Sequence, residues 1–306
     1  MRHTSRRLNQ IAVSVSVVLV GVGLLLPQIL ELLIIPILLL SVFIIGIPHG
    51  AIDHIMASEL YGLRNSLKDH ILFYASYLLI MLFIAFLWIY IPIAGMVLFL
   101  AMSIYHFGQA DMEDFLKSST PNVTWYITRG TLIIGLIIFA DTSTSYPIMA
   151  EAMRLDLTTF ANVMPDPLYA TGFIIFVYTG LTLFGLSKNH FTNNFSFIAD
   201  SIIITLLLLI TGPLIGFAVY FALWHSIGHV NEMKKFFEAK NKSLTIVEFY
   251  KKAAPFTLIS LFGLVLLFYI NQLMQLEGEF VTLMFILISV LTLPHLFIAD
   301  KMYRES

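Results

Sequence analysis

The chain reads as a succession of long apolar runs broken by short polar segments. Residues 11–26, 32–47, 71–91 and 201–210 hold almost no charge. A helix that crosses a bilayer needs about 20 mostly apolar residues. The pattern supplies ten such spans: 9–26, 32–49, 70–90, 93–110, 123–140, 168–186, 197–211, 214–231, 254–272 and 280–299. The seventh is short, and Gly212-Pro213 joins it to the eighth as a tight hairpin or a broken pair. The expected fold is all-α: a polytopic membrane protein of about ten transmembrane helices, forming a single integral membrane domain over residues 1–306. Between spans, 141–167 is the longest outer segment, and 148–163 is expected to form one short amphipathic helix on the outer surface.

Composition agrees with the pattern. Hydrophobic residues make up 58% of the chain and charged residues 12%, with a mean hydropathy of +0.88. Soluble domains carry about 25% charge, so a soluble globular enzyme and a disordered chain are both excluded. The net charge of -2 gives no sign of a nucleic-acid partner. Of the 17 Lys and Arg, all but Arg154 fall at the N-terminus, in or beside the loops after even-numbered spans, or at the C-terminus. By the positive-inside rule that side is cytoplasmic. Both termini are then expected in the cytoplasm and the protein in the cell membrane. Arg2, Arg6 and Arg7 precede a first run without a small-x-small exit, which is expected to be a membrane helix rather than a cleaved leader.

There are no cysteines, which excludes disulfides, thiolate-bound zinc and iron–sulfur clusters. Any metal must be held by His, Asp or Glu. Ionisable groups inside spans are costly, and they are functional candidates for that reason. His49, His106, the pair His225 and His229, and His295 all lie in the second half of spans that run outside to inside. They are therefore expected at a similar depth near the cytoplasmic leaflet. His225 and His229 are four apart, on one helix face. His106 and His295 each precede an acid by five residues, at Asp111 and Asp300. Asp53, one turn after His49, is placed either to orient an imidazole or to sit as a helix-end charge. A lone membrane histidine can equally be a packing hydrogen bonder, and His295 stands evenly between the two roles. His54 and His70 are expected at the interface, and His3 and His190 in solvent-facing loops.

Clustered neutral imidazoles suit iron, zinc or copper, and lipid-facing helices imply an apolar substrate. Spacing reaches a membrane metalloprotein and leaves its chemistry open. A desaturase-like di-iron enzyme would need about twice as many clustered histidines. A haem-bearing electron carrier and a proton-coupled transporter using His225, His229 and Asp53 also fit the residues.

The motifs narrow the choice. Gly46-Ile47-Pro48-His49-Gly50-Ala51-Ile52-Asp53-His54, Tyr105-His106-Phe107-Gly108 and Trp224-His225-Ser226-x2-His229 resemble the bacteriorhodopsin-related (Brp/Blh-like) protein family. The match in motif order and layout covers essentially the whole chain. The resemblance implies a β-carotene 15,15′-dioxygenase, a non-haem Fe(2+) enzyme that uses O2 to split β-carotene at its central double bond into two retinal molecules. It implies that His49, His106, His225 and His229 are the iron ligands and the catalytic centre, and that retinal passes to a rhodopsin. His54 and His295 have no comparably firm match.

Overall fold

A computed structural model describes residues 6–63, 66–117, 122–273 and 280–305. Arg2, His3 and Arg64 lie outside the described residues. Helices follow one another throughout, and among the described residues the only β pairing is a single bridge between Leu116 and Phe191. In chain order the helices are α1 (Arg6–Leu25), α2 (Pro27–Leu40), α3 (Ile47–Gly50), α4 (Asp53–Leu60), α5 (Leu67–Tyr90), α6 (Pro92–Met112) and α7 (Asn122–Phe139). There follow α8 (Thr142–Ala152), α9 (Leu157–Val163), α10 (Pro167–Ser187), α11 (Asn194–Val219), α12 (Ile227–Ala239), α13 (Ile246–Leu273) and α14 (Phe280–Glu305). Two π-helical segments, Ser41–Gly46 and Tyr220–Ser226, continue α2 and α11.

The sequence punctuates these helices locally. Pro27 and Pro167 stand at the first helical position of α2 and α10, where a missing N–H costs nothing. Asp166 caps α10 by accepting from the amides of Leu168 and Tyr169. Asn189 (φ 56°) and Asn241 (φ 56°) take the left-handed conformation that closes α10 and α12. At those two ends the amides of His190 and Lys242 reach back to the carbonyls of Gly185 and Phe237, as Schellman closures do.

Among the described residues, nine helical runs are long and apolar enough to cross a membrane. The seventh and eighth predicted spans fall in one of them, Asn194–Ala239. This run turns back on itself at Gly212, whose φ of 73° and ψ of 176° no other residue type adopts readily. A Cβ added at Gly216 would lie 3.2 Å from the Leu208 backbone. Eight residues apart in a straight helix, those positions would be separated by about 12 Å. The expected pair is thus a hairpin. The single amphipathic helix expected over 148–163 is instead α8 and α9. Arg154 (φ 55°) sits between them, with the Leu155 amide bonded to the Ala150 carbonyl, so a Schellman closure ends α8 before the predicted helix can run through.

The chain divides into two compact units. The first holds Met1–Gly46, Ser103–Pro147 and Thr158–Glu232. Its α11 packs on α1, α2 and α7, and α7 packs on α10. Leu19, Leu30, Leu207, Ile215 and Val219 form one of its cores. The α6–α7 crossing is close, because a Cβ at Gly108 would lie 1.8 Å from the Tyr126 carbonyl oxygen and one at Gly130 1.7 Å from that of Ile104. Glycine on both sides lets the two backbones touch, as in membrane helix pairs. The second unit holds Ile47–Met102, Ile148–Leu157 and Met233–Ser306. There α14 packs on α4, α5 and α13, and α13 on α3. Trp88 Nε1 donates to Ser289 and the Thr282 hydroxyl to Glu151.

Large apolar side chains cover the outside of many helices. Val18, Leu79, Phe176 and Phe262 are 62%, 68%, 76% and 67% exposed. Apolar surface on this scale does not face water.

Candidate functional site

The first unit gathers three of the predicted site histidines. His106 comes from α6, His225 from the π-helical segment Tyr220–Ser226, and His229 from the first turn of α12. All three are buried, at 1%, 1% and 2% exposure. The His106 and His225 rings stand 4.7 Å apart, centroid to centroid, at 77°. His229 lies 6.3 Å from each of them. His225 and His229 are parallel within 5°, stacked along the helix face as their spacing predicts.

Aromatic side chains set these rings. Phe107 packs 4.7 Å from His225, and Phe221 stacks on it at 5.8 Å and 11°. Phe221 has a place because Gly46 leaves one: a Cβ there would lie 2.3 Å from its ring. The π-helical segment Ser41–Gly46 that carries Gly46 has a local cause. Pro48 lacks an N–H and its ring would clash with the carbonyl four residues back, and a widened turn relieves both. π-Segments are frequent at functional sites, and here they flank the His49 and His225 motifs. Trp224 turns away and donates to Ser16 on α1, 3.1 Å off.

Asp111 accepts from Arg129 Nε at 3.0 Å and from the Tyr220 hydroxyl at 3.0 Å. Arg129, 1% exposed, also donates to Tyr178 at 2.8 Å and Ser201 at 2.9 Å. This buried lock ties α6 to α7, α10 and α11 beside the imidazoles. Its sequence signal was an Arg inside an apolar span.

His49 belongs to the second unit and has its own company. Its ring meets that of His295 at 4.9 Å and 89°. His295 Nδ1 donates to both oxygens of Asp53, at 2.8 and 3.0 Å. The Tyr77 hydroxyl donates to the same carboxylate at 2.9 Å. His49, Asp53 and His295 are buried at 5%, 3% and 5% exposure. Asp53 is therefore an imidazole-orienting group, and the ring it orients is His295 rather than His49. His54 is only half-buried, against Phe256, with Nδ1 on the Ala51 carbonyl. His190 is half-buried beside Trp125 and Phe184 rather than facing solvent. Tyr77 and the pairing of His295 with His49 were not predicted; Pro294-His295, echoing Pro48-His49, was their only trace.

Imidazoles suit a metal such as iron in donor type. Two imidazoles bound to one ion at about 2.1 Å put their ring centroids roughly 4.5 to 6.5 Å apart. The three rings of the first unit fall in that range. Among the described residues, no group of three or more His, Asp or Glu side chains has its donors already set around an ion. Sharing one requires the rings to turn about their side-chain torsions.

Fold and site together define a class: an all-helical polytopic protein with an apolar exterior and imidazoles gathered in its interior. The sequence model of the beta-carotene 15,15′-dioxygenase family matches residues 40–303, and the chain belongs to that family. It is 26% identical over 276 residues to the beta-carotene 15,15′-dioxygenase of an uncultured marine bacterium (66A03), covering 86% of this chain and 92% of that one. It is 24% identical over 297 residues to the probable beta-carotene 15,15′-dioxygenase Blh of Halobacterium salinarum, covering 87% and 84%. No solved structure matches it.

Proposed function

We propose that the protein is an integral cell-membrane dioxygenase that cleaves β-carotene at its 15,15′ double bond with O2, giving two molecules of retinal. Both oxygen atoms end in the two aldehydes, one in each. Family membership supports the reaction, and the single structural observation that supports its site is the buried meeting of His106, His225 and His229. These three are the proposed ligands of a ferrous ion, with His49 added from its motif in the sequence. When bound, the iron would supply the activation of O2 that a closed-shell polyene cannot supply itself. The chain's own contribution is position and dryness. Phe107 and Phe221 wall the imidazoles with apolar surface, which excludes water and suits a hydrocarbon. The double bonds of a polyene are chemically alike, so choice of the central one must come from where the protein holds the chain. The distribution of basic residues supports cytoplasmic termini and a site nearer that face, from which retinal would pass to a rhodopsin.

The test is expression in cells that make β-carotene. The wild-type protein should discharge the orange colour and yield retinal, and the purified protein should contain iron without a haem Soret band. His106→Ala, His225→Ala and His229→Ala should each abolish retinal, a loss of at least about a thousandfold, since an ion without its ligand set leaves no route to O2 activation. Full activity with undiminished iron in His225→Ala would remove that residue from the ligand set. Activity that survives removal of iron by a chelator would end the iron reading.

A further inference from the structure

The group around His49 is built differently from the three rings of the other unit, and sequence motifs assign no role to most of it. His295 is buried 4.9 Å from the His49 ring, edge to face, and its Nδ1 is committed to Asp53. Asp53 is in turn steadied by Tyr77. We propose that His295 is a metal ligand alongside His49, with Asp53 as its positioning residue. This rests on the proposed role of His49 as an iron ligand.

Three observations carry it. The ring separation lies within the span that two imidazoles sharing one ion adopt, roughly 4.5 to 6.5 Å. A metal-bound histidine almost always gives its other N–H to a carboxylate or carbonyl, which fixes the tautomer and aims the free nitrogen. Here Nδ1 does that, at 2.8 and 3.0 Å, which puts the ring's lone pair on Nε2. Third, a carboxylate 3% exposed among apolar helices is expensive to keep. A histidine needed only for packing would not require one. Neutral imidazoles leave the charge of a dipositive ion uncancelled, and Asp53, bonded to His295, would supply a compensating negative charge.

The experiment uses the full chain in detergent, stripped of metal. Fe(II) is titrated without oxygen, and Co(II) serves as a spectroscopic probe of coordination. The wild-type protein should bind both. His295→Ala and His295→Gln should weaken Fe(II) binding at least about tenfold and change the Co(II) ligand-field bands. Asp53→Asn should weaken binding by about tenfold while keeping the shape of those bands, as expected of a group acting through its neighbour. His295→Gln fills nearly the same space, and its thermal melt without metal should match the wild type. Should His295→Ala fail to fold, the glutamine and asparagine variants carry the test. Wild-type affinity and an unchanged Co(II) spectrum in His295→Gln would make the Asp53–His295 contact a structural ion pair and overturn the proposal. A wild-type protein that binds no Fe(II) would overturn the iron site itself, and this ligand with it.

Discussion

Two regions of the molecule hold buried histidines by different means. In the first unit, His106, His225 and His229 are placed by a tight helix crossing, a π-segment and two phenylalanines, and Asp111, on the same helix as His106, is held by Arg129. In the second, His295 is held by a carboxylate, and His49 packs against its ring. Aromatic packing sets where a ring sits. A hydrogen bond to a carboxylate also fixes which nitrogen faces outward. The aromatic region should therefore respond to changes of volume, and the carboxylate-braced region to changes of charge.

The largest test of that contrast is Gly130→Ala. Its methyl would meet the Ile104 carbonyl at 1.7 Å, and backbone cannot step aside as a side chain can. The α6–α7 crossing should open, at about 3 kcal/mol or more. Iron and retinal should both be lost, because His106 rides on α6. A Gly130→Ala protein with normal iron would show that the crossing does not place His106. Comparable in size is Arg129→Met, which leaves Asp111 buried without its partner and should cost about 3 to 5 kcal/mol. Replacing Asp111 with Leu in the same chain should restore most of that loss in a thermal melt. If it does not, the lock serves more than its own neutrality.

A smaller effect is expected from Phe221→Leu, which keeps much of the volume and should cost about 1 kcal/mol. Retinal formation should fall severalfold while iron stays bound, since the ring that stacks on His225 is lost but no ligand is. Loss of iron in this variant would make the phenylalanine essential to the ligand set.

The smallest effect belongs to a control outside the membrane-spanning helices. Asp141 caps α8, accepting from the Ser143 amide and from the Ser143 and Thr144 hydroxyls. Burial works against its ionisation most strongly of any one influence, but the hydrogen bonds from Ser143 and Thr144 together prevail and hold the carboxyl below its usual range. Its stabilisation is thus full above the ordinary carboxylate pKa of about 3.9 and fades as pH falls through the lower folded value. Asp141→Ala should cost about 1 kcal/mol at neutral pH, and less in acid, with iron and activity unchanged. Reduced iron in this variant would mean that general loosening, rather than local geometry, explains the other losses.

Much of the architecture was legible before any coordinates. Apolar runs, Pro at helix starts and Gly212-Pro213 marked the membrane helices and the hairpin, because each depends on residues adjacent in the chain. The i, i+4 spacing put His225 and His229 on one face for the same reason. The paired His-x4-Asp spacings do not mark a shared contact. Five residues along a helix turn about 140° from the start, so Asp111 faces Arg129 and Tyr220, and Asp300 pairs with Arg304 on its own helix. Nothing local distinguishes Gly108 and Gly130 as points of contact, or announces that Asp53 will meet His295, 242 positions away. Hydropathy along a chain states that a segment is buried in lipid or protein. Which faces of two helices meet is settled by the fit of side chains far apart in sequence, and that fit exists only once the helices are packed.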